Sequence, residues 1–333
     1  MNCVIFGAGA WGTAMAIHLA RQGQTVTLVP RRAEQALAMA TTRENVAYLP
    51  GHRLDDSIQI GLEPVPALMD ADLIFLACPS KGLPELLHAI GPAVRECGAK
   101  MAISLCKGVD LTTLRRPSEL MAEAFGPVPV GTLSGPSNAD EVARGLPTAL
   151  VLAADAEPAL LKAVQAAVSG PTLRAYTSND LIGVEIGGTL KNVYALGAGL
   201  CDGLSLGSNA KAALLTRSLQ EMARLGEAFG ARPETLLGLG GVGDLMATAH
   251  GSWSRNRSLG EQLAKDPAGT LAALAHRREA VEGHRAAAAL FKLAERRGLE
   301  AQILACLHAI LYQGLDPRAG VVSLMTRDLR PEA

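Results

Sequence analysis

Residues 7–12 read GAGAWG. They follow a short apolar run, residues 1–6 (MNCVIF), and precede an amphipathic stretch, residues 13–21 (TAMAIHLAR). Strand, G-x-G-x-x-G, helix is the order of the dinucleotide-binding fingerprint. Gly7 permits the tight turn out of the strand. Gly9 has no Cβ, so backbone can approach a pyrophosphate closely. Gly12 lets the helix pack against the strand. The helix start then offers N–H groups and a partial positive charge to the anion. The spacing alone also fits a plain strand–helix turn. Its position at the head of a βαβ-like unit favours the nucleotide reading.

Residues 24–29 (QTVTLV) are β-branched and alternating, so they read as a second strand. An NAD-specific fold usually carries Asp or Glu just beyond this point, for the ribose 2′-hydroxyl. Here the chain reads Pro30-Arg31-Arg32, and the first acid is Glu34. Arg31 and Arg32 can accept a 2′-phosphate through charge-assisted hydrogen bonds. NADP(H) is therefore the preferred cofactor, with NAD(H) as the alternative. The competing reading is two solvated arginines at a helix start.

Residues 72–78 (DLIFLAC), 100–105, 128–133, 145–153 and 173–176 read as further strands, and 57–62 as a short one. Residues 33–40, 139–144 (capped by Ser137) and 158–168 read as helices, and 45–51 as a turn-rich loop. This alternation implies an α/β layer with a mostly parallel, doubly wound, Rossmann-like sheet. Three strand ends carry polar groups: Pro79-Ser80-Lys81, Cys106-Lys107-Gly108 and Ser134-Gly135-Pro136-Ser137-Asn138. Ligands in such folds sit at the carboxyl ends of strands. A lysine there can equally be solvated, and Ser80 can equally cap a helix.

The pattern changes after Asn179. Residues 180–204 are long, apolar and glycine-rich with helical periods, and Lys191-Asn192 lies in their middle. A charge in such surroundings is costly unless paired. Either the lysine reaches out along its stem, or it faces a polar cavity, where a lysine is suited to giving and taking a proton. Asp244 is lodged between glycines and aliphatics, and Ser254-Arg255-Asn256-Arg257 forms a donor cluster suited to phosphate, or an exposed basic turn. The expected division is 1–185, a dinucleotide-binding domain, and 186–333, an all-helical substrate-binding domain.

Composition removes several function classes. The net charge of −1 gives no push toward nucleic acid or anionic membranes. The six cysteines are scattered without C-x-x-C and read as thiols of a reducing compartment. No histidine has metal-ligand spacing, so no metal site is expected. No apolar run reaches membrane-spanning length and none resembles a signal peptide. A cytoplasmic protein with a small-molecule partner is the expectation, and the aliphatic helical half leaves a homodimer open.

The motifs also form an ordered set: residues 7–14, Lys107-Gly108, Ser134-Gly135-Pro136-Ser137, residues 145–149 (GLPTA), Lys191-Asn192-Val193, Gly243-Asp244-Leu245, Ser254-Arg255-Asn256-Arg257 and Val281-Glu282-Gly283. The set resembles the bacterial sn-glycerol-3-phosphate dehydrogenase [NAD(P)+] family over nearly the whole chain. The resemblance implies NAD(P)H-dependent reduction of dihydroxyacetone phosphate to sn-glycerol 3-phosphate, supplying glycerophospholipid synthesis. It implies Lys191 as proton donor to the carbonyl oxygen, and acceptor in reverse, with Asp244 orienting it. Lys107 would touch substrate and cofactor. Ser254, Arg255 and Asn256 would hold the phosphate. Gly135, Ser137, Asn192 and Thr248 would line the substrate site. Ala10, Trp11, Arg31, Ala139, Arg255, Ala280 and Glu282 fall where the family contacts its cofactor. Asn138 stands where the family usually has Phe, and Pro30 where a bulky aromatic is common. Two rivals stay open. One is a related 3-hydroxyacid or ketopantoate-type dehydrogenase, which would need a carboxylate site in place of a phosphate site. The other is a non-catalytic NADP(H) sensor.

Overall fold

The first apolar run becomes β1 (Asn2–Phe6), and its alternate residues enter two different cores. Cys3 and Ile5 join one, Val4 and Phe6 the other. Burial on both faces marks a central strand of a covered sheet. The remaining strands are β2 (Thr25–Val29), β3 (Glu44–Asn45), β4 (Leu49–Arg53), β5 (Gln59–Ile60), β6 (Leu73–Leu76), β7 (Met101–Ser104), β8 (Val130–Ser134), β9 (Thr148–Ala154) and β10 (Leu173–Ser178). The computed structural model describes residues 1–110, 113–274, 276 and 281–329. By contacts the chain divides into two units, Met1–Glu185 and Ile186–Ala333.

The first unit is built on an eight-stranded sheet of order β10-β9-β8-β7-β6-β1-β2-β5. Its pairs are parallel except β8 with β9. The order reverses between β1 and β6, and the crevice at such a switch point is where doubly wound sheets take their ligands. One face is covered by α1 (Ala10–Arg21), with α2 (Ala33–Thr42) beside it. The other is covered by α3 (Leu83–Glu96) and α4 (Pro117–Phe125). The helices α5 (Ala139–Arg144) and α6 (Pro158–Val168) join the first face.

Four local expectations are corrected. α1 starts at Ala10, three residues before Thr13, because Gly9 is already extended and its carbonyl accepts the first helical N–H, from Thr13. The turn-rich stretch 45–51 lies in an antiparallel hairpin of β3 and β4. Asn138, not Ser137, caps α5: its side chain accepts from the Glu141 N–H at 2.9 Å. Ser80 lies in a 3₁₀ turn, Ser80–Gly82, and α3 begins after it without a side-chain cap.

The second unit is helical. It contains α8 (Gly207–Ala228), α9 (Pro233–Leu236), a π-turn (Leu239–Gly243), α10 (Asp244–His250), α11 (Arg255–Lys265), α12 (Pro267–Leu274), α13 (Glu282–Arg297), α14 (Gln302–Tyr312) and α15 (Pro317–Met325). α7 (Leu181–Gly203) precedes them and carries the boundary between units. It is buried all round from Gly183 to Cys201, the expected state of a helix without a polar face. Its glycines serve close approach. A Cβ on Gly199 would collide with the Arg257 carbonyl, and one on Gly260 with the Leu196 carbonyl, so α7 and α11 cross backbone to backbone.

Candidate active site

The glycine turn joins β1 to α1. Gly7 has φ +107°, and a Cβ there would stand 2.7 Å from the Ala77 carbonyl oxygen. A Cβ on Gly12 would collide with the Gly7 carbonyl and approach the Ala77 Cβ to 2.9 Å. Gly9 differs, since a Cβ there would meet nothing within 4 Å. Its neighbourhood is open, as a cradle for a pyrophosphate must be. Ala10 and Trp11 open the helix beside it, and the buried Trp11 indole N–H has no hydrogen-bond partner among the described residues. The twelve-residue α1 directs its N-terminus at this space. The turn therefore fits a dinucleotide phosphate.

Residues that sequence reasoning missed hold the turn in place. The buried Asn45 donates from Nδ2 to the Ala8 carbonyl (2.9 Å) and to Thr13 Oγ1 (2.7 Å). Thr13 Oγ1 in turn donates to the Gly9 carbonyl at 2.8 Å, and Gln35 Nε2 donates to the Ala8 carbonyl at 2.8 Å. An asparagine within a turn-rich stretch carries no signal of so distant a partner.

Arg31 and Arg32 follow β2. Arg32 takes the N-cap position of α2, and the Arg31 side chain is 80% exposed, with its guanidinium 3.5 Å from the Glu85 carboxylate. Both are exposed and can reach a ligand. Past β7, Lys107 Nζ donates to the Gly135 carbonyl (2.8 Å) and to Ser137 Oγ (3.0 Å), and Ser137 Oγ donates to the same carbonyl at 2.9 Å. Lys107, Gly135 and Ser137 are thus one cluster, with Ala139 two residues on at the start of α5. Ser134 Oγ, buried at the end of β8, has no hydrogen-bond partner among the described residues.

The second unit brings the remaining residues together. Lys191 Nζ lies 2.9 Å from Asp244 Oδ1, with the two side chains only 6% and 1% exposed. Lys191 also donates to Thr248 Oγ1 at 2.7 Å, and Thr248 Oγ1 donates to the Asp244 carbonyl at 2.7 Å. Asp244 and Thr248 share a face of α10 because they are four residues apart. The π-turn before α10 precedes Asp244 directly.

Beside this pair, Asn192 Oδ1 accepts from Asn256 Nδ2 at 2.8 Å, and Asn256 Oδ1 accepts from the Gly283 N–H at 2.9 Å. The two amides thereby join α7, α11 and the start of α13. Ser254 caps α11, accepting from the Arg257 N–H at 3.2 Å, and Arg255 stands exposed at its first position. The reading of 254–257 as one donor cluster is corrected for Arg257. Its guanidinium bonds Asp202 (2.7 Å) and Glu261 (2.7 Å). Burial works against the Asp202 carboxylate, but Lys211 and Arg257 outweigh it and hold its pKa below the usual range. Glu282 is the first residue of α13, and Ala280 lies outside the described residues.

A further buried carboxylate belongs to the first unit. Glu185 accepts from Ser118 Oγ (2.6 Å), the Ser118 N–H (2.9 Å) and Arg116 (3.0 Å). Burial still pushes its pKa up. Sequence reading gave it no role. Among the described residues there is no group of His, Cys, Asp and Glu able to hold a metal ion, and no helix is long and apolar enough to cross a membrane.

Comparisons with known proteins cover the whole chain. The description "NAD-dependent glycerol-3-phosphate dehydrogenase N-terminus" matches residues 2–160, and the C-terminus of the same family matches residues 180–322. The chain is similar to the glycerol-3-phosphate dehydrogenase [NAD(P)+] of Thermus thermophilus, 44% identical over 100% of both chains. A similar relative from Thiobacillus denitrificans is also 44% identical over 100% of both chains. The crystal structure of glycerol-3-phosphate dehydrogenase from Coxiella burnetii superposes with TM-score 0.90 at 36% identity, covering 98% of this chain and 99% of that one. A ketopantoate reductase from Ralstonia eutropha aligns with TM-score 0.62 at 19% identity, covering 96% and 100%, a likeness of fold alone.

Proposed function

The chain belongs to the NAD-dependent glycerol-3-phosphate dehydrogenase family, and from that premise we propose how its own residues perform the reaction: reversible reduction of dihydroxyacetone phosphate to sn-glycerol 3-phosphate by an NAD(P)H-dependent oxidoreductase. When bound, the nicotinamide supplies the hydride to C2, or takes it in reverse. The observation that carries the reading is the buried Lys191–Asp244 pair at 2.9 Å.

Lys191 gives a proton to the C2 oxygen as negative charge develops there, and recovers it in the oxidative direction. Asp244 and Thr248 fix the ammonium in one orientation, so little ordering remains at the moment of reaction. Asn192 and Asn256 hold the neighbouring backbone. Arg255, exposed at the N-terminus of α11, and Ser254 and Asn256 beside it form the phosphate end of the site. Binding energy gathered there positions C2. In the first unit, Gly7, Gly9, Ala10, Trp11 and Gly12 take the pyrophosphate. Arg31 and Arg32 take a 2′-phosphate, which makes NADP(H) preferred over NAD(H). Lys107, held by Gly135 and Ser137, serves as a second cation for substrate and cofactor. Ala139, Ala280 and Glu282 complete the cofactor contacts. A cytoplasmic enzyme, a homodimer through the helical unit, and supply of glycerophospholipid synthesis belong to the same reading.

The test is nicotinamide absorbance with dihydroxyacetone phosphate, run with NADPH and NADH on wild type and Lys191→Ala. Turnover should fall by on the order of 10²–10⁴ in the variant while NADPH still binds. A wild type that binds NADPH but turns over ketopantoate instead would transfer the assignment to that class of dehydrogenase.

A further inference from the structure

Two cysteines that the reaction does not use lie at neighbouring strand ends. β6 pairs β7 in parallel with Leu76 opposite Ser104, and Cys78 and Cys106 each lie two residues further along. Both thus lie just past the last paired residues of neighbouring parallel strands, whose spacing is about 4.8 Å. A disulfide needs Cα atoms about 4.4–6.8 Å apart, a range that includes the spacing of neighbouring strands. The sulfurs already face each other: Cys78 Sγ is 3.9 Å from Cys106 Sγ, and the Cys106 thiol donates to the Cys78 carbonyl at 3.0 Å. Both are thiols here; Cys106 is buried and Cys78 is partly exposed.

The position gives the pair a consequence. Ala77, next to Cys78, is the residue against which Gly7 and Gly12 pack. Cys106 is bonded directly to Lys107, which holds Gly135 and Ser137. A bond between the two sulfurs would therefore tie the switch point of the sheet to the Lys107 loop.

We propose that Cys78 and Cys106 are a peroxide-oxidisable dithiol whose disulfide lowers turnover reversibly. The Cys78 sulfur, as the exposed member, attacks one oxygen of a hydroperoxide. The S–O bond forms, the O–O bond breaks, and the departing oxygen leaves as water with the thiol proton. Cys106 sulfur then attacks Cys78 sulfur. The S–S bond forms, the S–O bond breaks, and hydroxide leaves with the Cys106 proton as a second water. Two thiols thus lose two electrons and one hydrogen peroxide becomes two waters. An external dithiol reverses the step by exchange.

Closing the sulfurs from 3.9 Å to about 2.05 Å draws the strand ends together. Displacement of a positioning group by about 1 Å can cost on the order of a hundredfold in rate, so a loss of about tenfold or more in kcat/KM is expected. That loss rests on the proposed function; the disulfide itself does not.

The experiment treats reduced protein with hydrogen peroxide, blocks remaining thiols, digests, and maps peptides by mass. Turnover of dihydroxyacetone phosphate with NADPH is followed before and after dithiothreitol. A peptide pair joined through Cys78 and Cys106, lighter by two hydrogens, is expected, with activity lost on oxidation and regained on reduction. Cys78→Ser should keep its starting activity and lose the response. The mapping decides the dithiol even in a preparation without turnover, and Cys106→Ser tests it from the other side by removing the cross-link. Absence of the joined peptides in oxidised wild type would overturn the proposal. So would a Cys78→Ser protein as peroxide-sensitive as wild type, or a cross-linked enzyme of undiminished activity.

Discussion

Replacing Asp244 with asparagine keeps the volume of the side chain and removes its charge. What remains is a lysine ammonium at a site where both side chains are nearly excluded from water, 6% and 1% exposed. Breaking a buried ion pair by removing one partner costs about 3–5 kcal/mol when the survivor stays charged. The lysine has one escape, which is to lose its proton. From a reference pKa near 10.4 that costs about 4.6 kcal/mol at pH 7, or 1.36 kcal/mol for each unit. The two routes agree, so Asp244→Asn should lose about 3–5 kcal/mol at pH 7. The sign with pH follows from the second route. Proton release becomes cheaper as pH rises, so the gap to wild type should narrow by up to about 1.4 kcal/mol per unit. Urea unfolding of both proteins at several pH values measures the gap, and turnover should fall by on the order of 10² or more because the acid is no longer held. Equal stability at pH 7 with retained turnover would refute the argument, since the pair would then be neither structural nor catalytic. A gap that does not change with pH would refute the charge-based part alone.

Gly12→Ala forces a Cβ onto the Gly7 carbonyl. It should cost about 2 kcal/mol after the ~1 kcal/mol that alanine gains in helix propensity, and calorimetry with an NADPH titration should show affinity falling with stability. Arg31→Ala should lower kcat/KM for NADPH by about 10- to 100-fold, one to two charged hydrogen bonds, while NADH changes by less than about twofold; equal losses with both cofactors would remove Arg31 from the 2′-phosphate. His18 is buried, with Nε2–H donating to the Val168 carbonyl at 2.8 Å, and burial holds its pKa below the ordinary 6.5. The unfolded chain therefore takes up the proton first. The stability due to neutral His18 is complete above pH 6.5 and is lost as pH falls through the folded pKa. His18→Gln, which keeps a donor, should flatten part of that fall in melting temperature, leaving the share that His284 and His308 contribute with the same sign.

Much of the first unit was legible because its signals are local. A glycine turn, a β-branched strand and a continuous apolar run each state their own conformation within a few residues. The Lys191–Asp244 pair was legible only through family resemblance, since spacing left Lys191 open between a solvated and a cavity-facing lysine. What the chain hid are partners set by tertiary packing. Asn45 reaches back to Ala8 and Thr13. Arg257 is taken by Asp202, although its neighbours looked like a single basic turn. Ser137 and Asn138 are both good capping residues. Asn138 takes the cap while the Ser137 hydroxyl bonds Gly135, and Lys107, from a distant strand end, donates to it.

The chain of bonds from Asn45 through Thr13 to the Gly9 carbonyl also fixes the direction of a single peptide plane. A trans peptide points its C=O and N–H to opposite sides. With the Gly9 oxygen accepting from Thr13 inside the turn, the Ala10 N–H must look the other way, toward the open space. Asn45, at the head of these bonds, acts there as a donor, because the Ala8 carbonyl and Thr13 Oγ1 both accept a hydrogen from its amide nitrogen. Deamidation to aspartate would replace two donated hydrogens by a negative charge, facing the Ala8 carbonyl oxygen and standing behind the peptide proposed to meet the pyrophosphate. Chemical ageing at that one buried side chain would act on the glycine turn through the Ala8 carbonyl and Thr13, with every residue of the fingerprint itself unchanged.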